Sequence, residues 1–232
     1  MKSLKLNITF LYRILIYALG LLFLAFSVAF ARNSNLGISP VNSLPNAIWL
    51  VCSEKLPSIP LSFGNWVTIV FCFFILLQII MLRKDFKWYN IFQIAFSTLF
   101  GFFADFAKWA LGDFTIPGYI GQLIMLLISI VLIAIGISLY VDTKLIPMPT
   151  EGLNQAISDV TKIKFHNVKI IVDCTIVLTS TLISLIFLRR LEGVREGTVI
   201  SALLVGKFIG ILQKWIRPAV DRICFPEKKS EN

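Results

Sequence analysis

Charge and catalytic residue types are scarce in this chain. Only 13 of its 232 residues are aspartate or glutamate, and charged residues of both signs make up 15%, too few to cover a water-soluble globule of this size. Histidine occurs once, as His166, and the four cysteines, Cys52, Cys72, Cys174 and Cys224, are widely spaced with no CxxC pair. That pattern implies neither a disulfide framework nor a metal knuckle, and without a His or Cys cluster it gives metal catalysis no ligands. The chain has no GxxxxGK[ST] loop, no HExxH and no nucleophile elbow, which removes the common nucleotide, zinc-protease and hydrolase chemistries. A paired-aspartate mechanism needs two carboxylates in one site, and Asp105 and Asp173 are far apart in sequence. We therefore expect no catalytic residues, no metal and no cofactor, and no enzyme.

Apolar sequence is what the chain has in abundance. It is 57% hydrophobic with a mean hydropathy of +0.82 and 20 phenylalanines, so most of its apolar surface must face lipid, and no polar stretch is long enough for a separate soluble domain. The expected class is an all-α, polytopic helical membrane protein forming one domain over residues 1–232, with the bilayer as its first partner. The net charge of +9 does not point to nucleic acid, because the basic residues sit in short clusters beside apolar runs, where membrane topology and anionic headgroups account for them. Ala29-Phe30-Ala31 resembles a signal-peptidase site, but the run from Ile14 to Ala31 is long for a signal sequence and recurs inside the chain, so it is read as a retained first span.

Six runs are long enough, or nearly so, to cross about 30 Å of hydrocarbon at about 1.5 Å per residue. They are Ile14 to Ala31, Trp66 to Leu82, Asn90 to Leu111, Tyr119 to Tyr140, Lys169 to Leu188 and Thr198 to Ile216. Ser43 to Ser53 and Thr150 to Val160 are also helical in pattern but reach only about 16 Å, and are candidate half-helices. Ser39-Pro40 and Pro149-Thr150 supply start signals, and Ser43 is the expected N-cap, which would put Pro45 in the first turn. With the N-terminus inside, six spans leave 13 lysines and arginines inside and 5 outside, whereas eight spans give 10 and 8. The positive-inside rule thus favours six spans with both termini cytoplasmic.

The hydrophobic plan occurs twice. Phe10 to Lys55 lies on Tyr119 to Lys164 at a constant offset of 109, matching Ser27 to Gly136, Pro40 to Pro149, Leu44 to Leu153 and Ala47-Ile48 to Ala156-Ile157. After slippage in the loop, Phe63-Gly-Asn-Trp meets Phe165-His-Asn-Val and Cys72 meets Cys174; later Lys108-Trp109 meets Lys214-Trp215. Half one covers about 10–112, half two about 119–216, and 217–232 forms a basic cytoplasmic tail. Three spans per half is an odd number, so the second half enters from the opposite side and the repeat is inverted.

The turn Leu36-Gly-Ile-Ser-Pro-Val-Asn-Ser-Leu-Pro45, the stretch Pro149-Thr-Glu-Gly-Leu153, Val168 to Cys174, and above all Leu191-Glu-Gly-Val-Arg-Glu-Gly-Thr198 with Ile200 to Gly206 resemble the YczE/YyaS/YitT group of bacterial integral membrane proteins. The resemblance runs from about Tyr12 to Trp215. It implies a multi-pass protein of the bacterial plasma membrane, permease-like in outline, with two-fold internal repetition and no established substrate.

Ionisable groups inside a membrane cost roughly 2.5–3.5 kcal/mol each on insertion scales, so each requires a partner or a task. Asp105, Asp173 and Lys207 are the candidates within spans, and Lys207 is expected to face the interior with an aspartate as its partner. Against this, Asp105 and Asp173 lie near span ends, and Asp105 can pair with Lys108 one turn on. Asn42, Asn46, Glu151, Asn154 and Gln155 form a polar set on the two short helices. Read as re-entrant, those helices offer N-terminal N–H groups to an anionic or carbonyl-bearing solute, while Glu151 suits cation or proton coupling. Read as interfacial, they lie on the membrane surface with Trp49 as an anchor. Gly206 and Gly210 are spaced for close helix packing within the monomer. The expected function is a permease-like protein that binds or moves a small polar solute or ion between its halves. The alternative is a non-transporting scaffold that docks a partner protein, with oligomeric state left open.

Overall fold

Apolar runs of 18 residues or more have no way to satisfy their backbone in lipid except as helices, and the chain builds helices almost throughout. The computed structural model describes residues 2–225, with side chains from residue 8, and among these there is no strand. The long helices are α1 (Lys2–Asn33), α3 (Phe63–Leu82), α4 (Gln93–Leu111), α5 (Gly118–Asp142), α7 (Phe165–Ile183) and α8 (Glu196–Cys224). Between them lie two short ones, α2 (Pro40–Lys55) and α6 (Pro149–Thr161). Short 3-10 turns at Arg83–Asp85 and Trp88–Phe92 link α3 to α4, and a π turn at Ser184–Leu188 ends α7. Among the described residues six segments are long and apolar enough to span: Ile8–Asn33, Phe63–Asp85, Trp88–Leu111, Gly118–Asp142, Phe165–Leu188 and Glu196–Cys224.

Contacts along the helices fix which way each one runs. The Arg13 guanidinium donates to the Thr143 and Lys144 carbonyls, at 2.9 Å each, and Tyr17 and Tyr140 meet edge to face at 5.6 Å. Gly20 and Gly136 cross closely enough that a Cβ on either would lie under 3 Å from the other's carbonyl oxygen. α1 and α5 are therefore antiparallel and in near backbone contact, which only glycine at the crossing permits. α3 and α4 also run antiparallel, with Gly64 against Gly101 at one end and Gln78 against Gln93 at the other. α4 rises beside α1, joined by Tyr17–Phe96 and Phe26–Phe106 ring contacts, and α8 descends beside α5 through Ile200, Leu204 and Phe208.

These directions define two faces. On the terminal face Arg13 and Lys144 both stand over the Phe225 ring, at 5.1 and 5.0 Å. On the far face Asn33 Nδ2 donates to the Gly112 and Phe114 carbonyls, and the Gly197 N–H donates to the Leu36 carbonyl. α8 runs eight residues past the predicted end at Ile216, so the first part of the expected tail is helix; the rest of it, from 226 on, lies outside the described residues.

The short helices differ from their sequence reading in one respect. α2 starts at Pro40 behind Ser39, so Ser43 is not the N-cap; its hydroxyl turns back to the Pro40 carbonyl, and Pro45 lies inside the helix beyond its first turn. Pro40 in the first helical position, where no N–H is needed, makes the earlier start the better one. Burial in both short helices is graded along the axis. In α2 buried or partly buried residues run from Pro40 through Cys52 and exposure begins only at the last residues, 53–55; in α6 Pro149, Thr150, Gly152, Leu153 and Asn154 are buried while 159–161 at its end are exposed. A helix lying on a surface would alternate between buried and exposed once per turn along its whole length. An end-on gradient is the mark of a helix that points its N-terminus into the bundle.

Candidate functional site

At the far face the ends of α1 and α4, the body of α2 and the 189–197 loop enclose a cleft of about 510 Å³, within the range of small-molecule sites. Arg32 lies at the end of α1, and its guanidinium carbon stands 4.3 Å from the Trp49 ring and 4.8 Å from that of Phe63. Lys108, near the end of α4, places Nζ 4.5 Å from the same Trp49 ring. Two cations thus share one indole, and neither has a carboxylate within 4 Å among the described residues. Cation–π contact offsets part of the desolvation of such a pair but leaves its charge in place. Asp113 and Arg195 stand at the rim, and Asn46 lines the wall with its Oδ1 buried and without a protein hydrogen-bond partner.

Asp105 supports this cleft from behind. Its Oδ1 accepts the Gly64 N–H at 2.8 Å, tying the start of α3 to α4 where Gly64 and Gly101 cross. The alternative pairing with Lys108 is not formed, because Lys108 turns onto Trp49 instead.

The second polar cluster lies nearer the terminal face, around the start of α6. Glu151 accepts the Tyr140 hydroxyl at 3.0 Å and the Thr150 hydroxyl at 3.3 Å, and has no cation within ion-pair distance among the described residues. Burial raises its carboxyl above the ordinary value, with Lys169 and the hydroxyl donors acting in the opposite direction. Tyr17 completes the wall, donating to the Ile146 carbonyl at 3.0 Å. Beside it the fully buried Gln78 donates to Gln93 Oε1 and to the Pro149 carbonyl, clamping the first turn of α6.

Of the eight residues singled out from the sequence, Asn46 lines the cleft and the others are dispersed. Asn42 is buried and donates to Ser39 Oγ; Asn154 is buried with neither amide atom bonded to protein; Gln155 is exposed and bonds Asp159. Asp173 pairs with Lys169 at 3.1 Å, one turn back on α7. Lys207 does not face the interior. α8 presents Ile200, Leu204, Val205 and Phe208 to the cluster with α5, which turns Lys207 about a quarter of the way round the helix, where it is exposed and unpaired among the described residues. Gly206 and Gly210 likewise meet nothing within 4 Å, so they do not serve packing inside the monomer.

Arg32 and Lys108 were the residues that sequence reasoning undervalued. Each reads as an ordinary basic residue at a helix end, and only the meeting of two such ends over Trp49 makes a site of them.

Six apolar helices long enough to span, with two short helices between them, make this an integral, multi-pass helical membrane protein. Residues 11–214 match DUF6198, a family of unknown function, and the chain belongs to that family. Comparison with curated proteins and with solved structures finds no match.

Proposed function

We propose that the protein is a small permease of the plasma membrane, with both termini cytoplasmic, that admits a small polar solute through the far-face cleft. The observation that carries this reading is the cleft itself, whose wall includes Asn46 on a helix that points its buried start into the bundle. An inverted repeat is part of the proposal, and three contacts support it. α1 and α5, equivalent in the sequence register, run antiparallel. α2 packs on α7 through Ser43 and Ser180, whose hydroxyls lie 2.8 Å apart. Carried through the same register, that pair becomes Gly152 and Gln78, and a Cβ on Gly152 would lie 2.6 Å from Gln78 Oε1. Two halves of opposite orientation can exchange access by rocking against each other, with Glu151 in the second half occupying the position of Asn42 in the first. The likeness to the YczE/YyaS/YitT group belongs to this proposal and rests on the sequence stretches quoted above.

The scaffold alternative has less to stand on. In the 189–197 loop Arg190 is engaged by Glu54 and Glu192, and Arg195 by Glu196 and the Asn35 carbonyl, which leaves Arg189 as the loop arginine without a carboxylate at ion-pair distance among the described residues.

The test is accessibility from each side. In a variant with the four native cysteines replaced, Asn46→Cys should react with an impermeant anionic thiosulfonate from the far face, and Asn154→Cys from the terminal face. Reaction at Asn46→Cys only, under every condition, would leave a one-sided receptor and remove transport.

A further inference from the structure

Building on the cleft as a solute port, we infer that its ligand is a small organic anion, a carboxylate or phosphoryl group on a compact apolar body. The cleft's charge is arranged for such a group. Arg32 and Lys108 lie within 4.5 Å of one ring centroid, so they are held close despite their mutual repulsion, and no carboxylate neutralises either at ion-pair distance among the described residues. Asp105 acts electrostatically on both cations and Asp113 on Lys108, but neither acid closes an ion pair with them, and Asp105 Oδ1 accepts the Gly64 N–H. A guanidinium and an ammonium converging from two different helices can grip a planar or tetrahedral oxyanion from two sides, the guanidinium as a fork and the ammonium as a point charge.

The remaining walls describe the rest of the ligand. Trp49, Leu50, Ile38 and Leu191 are apolar and suit a short hydrocarbon or aromatic body, while Asn46 Oδ1 offers one acceptor for a hydroxyl or amide donor. Asp113 at the rim repels a second anionic group, which favours a ligand with a single anionic head over one with two. A cleft of about 510 Å³ at a membrane face is also within reach of an anionic lipid headgroup, which shares this chemistry, so the experiment separates the two sources.

The purified full-length protein in a neutral detergent is titrated with phenyl phosphate, with benzyl alcohol as the neutral control and dioctanoyl phosphatidylglycerol as the lipid arm, and the thermal unfolding midpoint is followed. Phenyl phosphate should raise the midpoint saturably and benzyl alcohol should not. Lys108→Gln and Arg32→Gln should each weaken the apparent affinity about tenfold or more, as expected for loss of a charge-assisted hydrogen bond. Arg32→Lys, which keeps the charge but loses the fork, should fall between. Lys108 is exposed, so its variant tests the idea even if Arg32→Gln does not fold. Equal stabilisation by phenyl phosphate in the Lys108→Gln and parent proteins, or by benzyl alcohol and phenyl phosphate, overturns the assignment. So does stabilisation by the lipid alone, which would make the cleft a headgroup site. If access alternates in the cysteine experiment while phenyl phosphate fails, the anion assignment falls and the permease reading stands. If phenyl phosphate binds while access stays one-sided, the anion site stands without transport.

Discussion

At the scale of single residues, buried polar groups hold this bundle at specific points, and each makes a measurable demand. Glu151 faces Tyr140 from α5, Tyr17 from α1, Thr150 from its own helix and Lys169 from α7. Its carboxyl lies above the ordinary 4.5 in the folded protein because burial disfavours the charge, so the folded state holds that proton more tightly than the unfolded chain does. The corresponding stability is fully present below pH 4.5 and is lost as pH rises through the raised folded value. Glu151→Gln should therefore flatten the dependence of the unfolding midpoint on pH above 4.5, with the variant gaining on the parent toward alkaline pH. Parallel profiles for the two proteins would show that Glu151 is not the titrating group. Gln78 makes a different demand. Gln78→Leu leaves the Gln93 amide and the Pro149 carbonyl short of partners and should cost about 1–3 kcal/mol, read from denaturation midpoints. The double variant Gln78→Leu/Gln93→Leu should cost less than the sum of the two single changes, because the two amides act as one unit.

At the scale of helices, elements aligned in the proposed repeat pack differently, and the reason is local. α3 and α4 close on each other where Gly64 meets Gly101, and a Cβ on Gly101 would lie 2.5 Å from the Gly64 carbonyl oxygen and 2.7 Å from Thr68 Oγ1. In the register that matches Phe63 to Phe165 and Lys108 to Lys214, Gly64 falls on His166 and Gly101 on Lys207. Bulky side chains at both positions go with the lack of a comparable approach between α7 and α8, while α8 packs on α5 as α4 packs on α1. Gly101→Val should thus destabilise by about 1–3 kcal/mol through overpacking. Gly206→Ala, at an open position, should stay within about 0.5 kcal/mol. A large effect of Gly206→Ala would mean that this face is covered in the folded protein by something outside the chain. The short helices were legible as elements from their length and start signals, since eleven or so apolar residues do not span. Their depth was not, because a re-entrant and a surface helix share one sequence pattern and differ only in what covers their first turns.

For the molecule as a whole, sidedness is the property on which the permease reading depends. Cysteines introduced in the 83–89 and 189–197 loops should be labelled from opposite faces of sealed vesicles, the first from the terminal face and the second from the far face. Labelling of both from one face would dissolve the inverted arrangement. The number of helices long and apolar enough to span and their approximate limits were readable in advance, because hydrocarbon thickness sets helix length. The site was only partly readable. Asn46 and Glu151 stood out as polar groups in apolar surroundings, but Arg32 and Lys108 resembled the basic residues that end many membrane helices. Lys207 lies about 16 Å along α8, yet depth says nothing about rotation about the helix axis.

By itself the sequence determined that this is a helical, multi-pass membrane protein with two short helices, since backbone satisfaction in lipid and the length of apolar runs are local matters. Only the tertiary structure decided where polar groups meet: which face of α8 turns to α5, how deep α2 and α6 enter, and that the ends of α1 and α4 bring two cations onto Trp49. Those outcomes depend on helix rotation and crossing, which are set by side chains distant in sequence that come together only when the bundle closes.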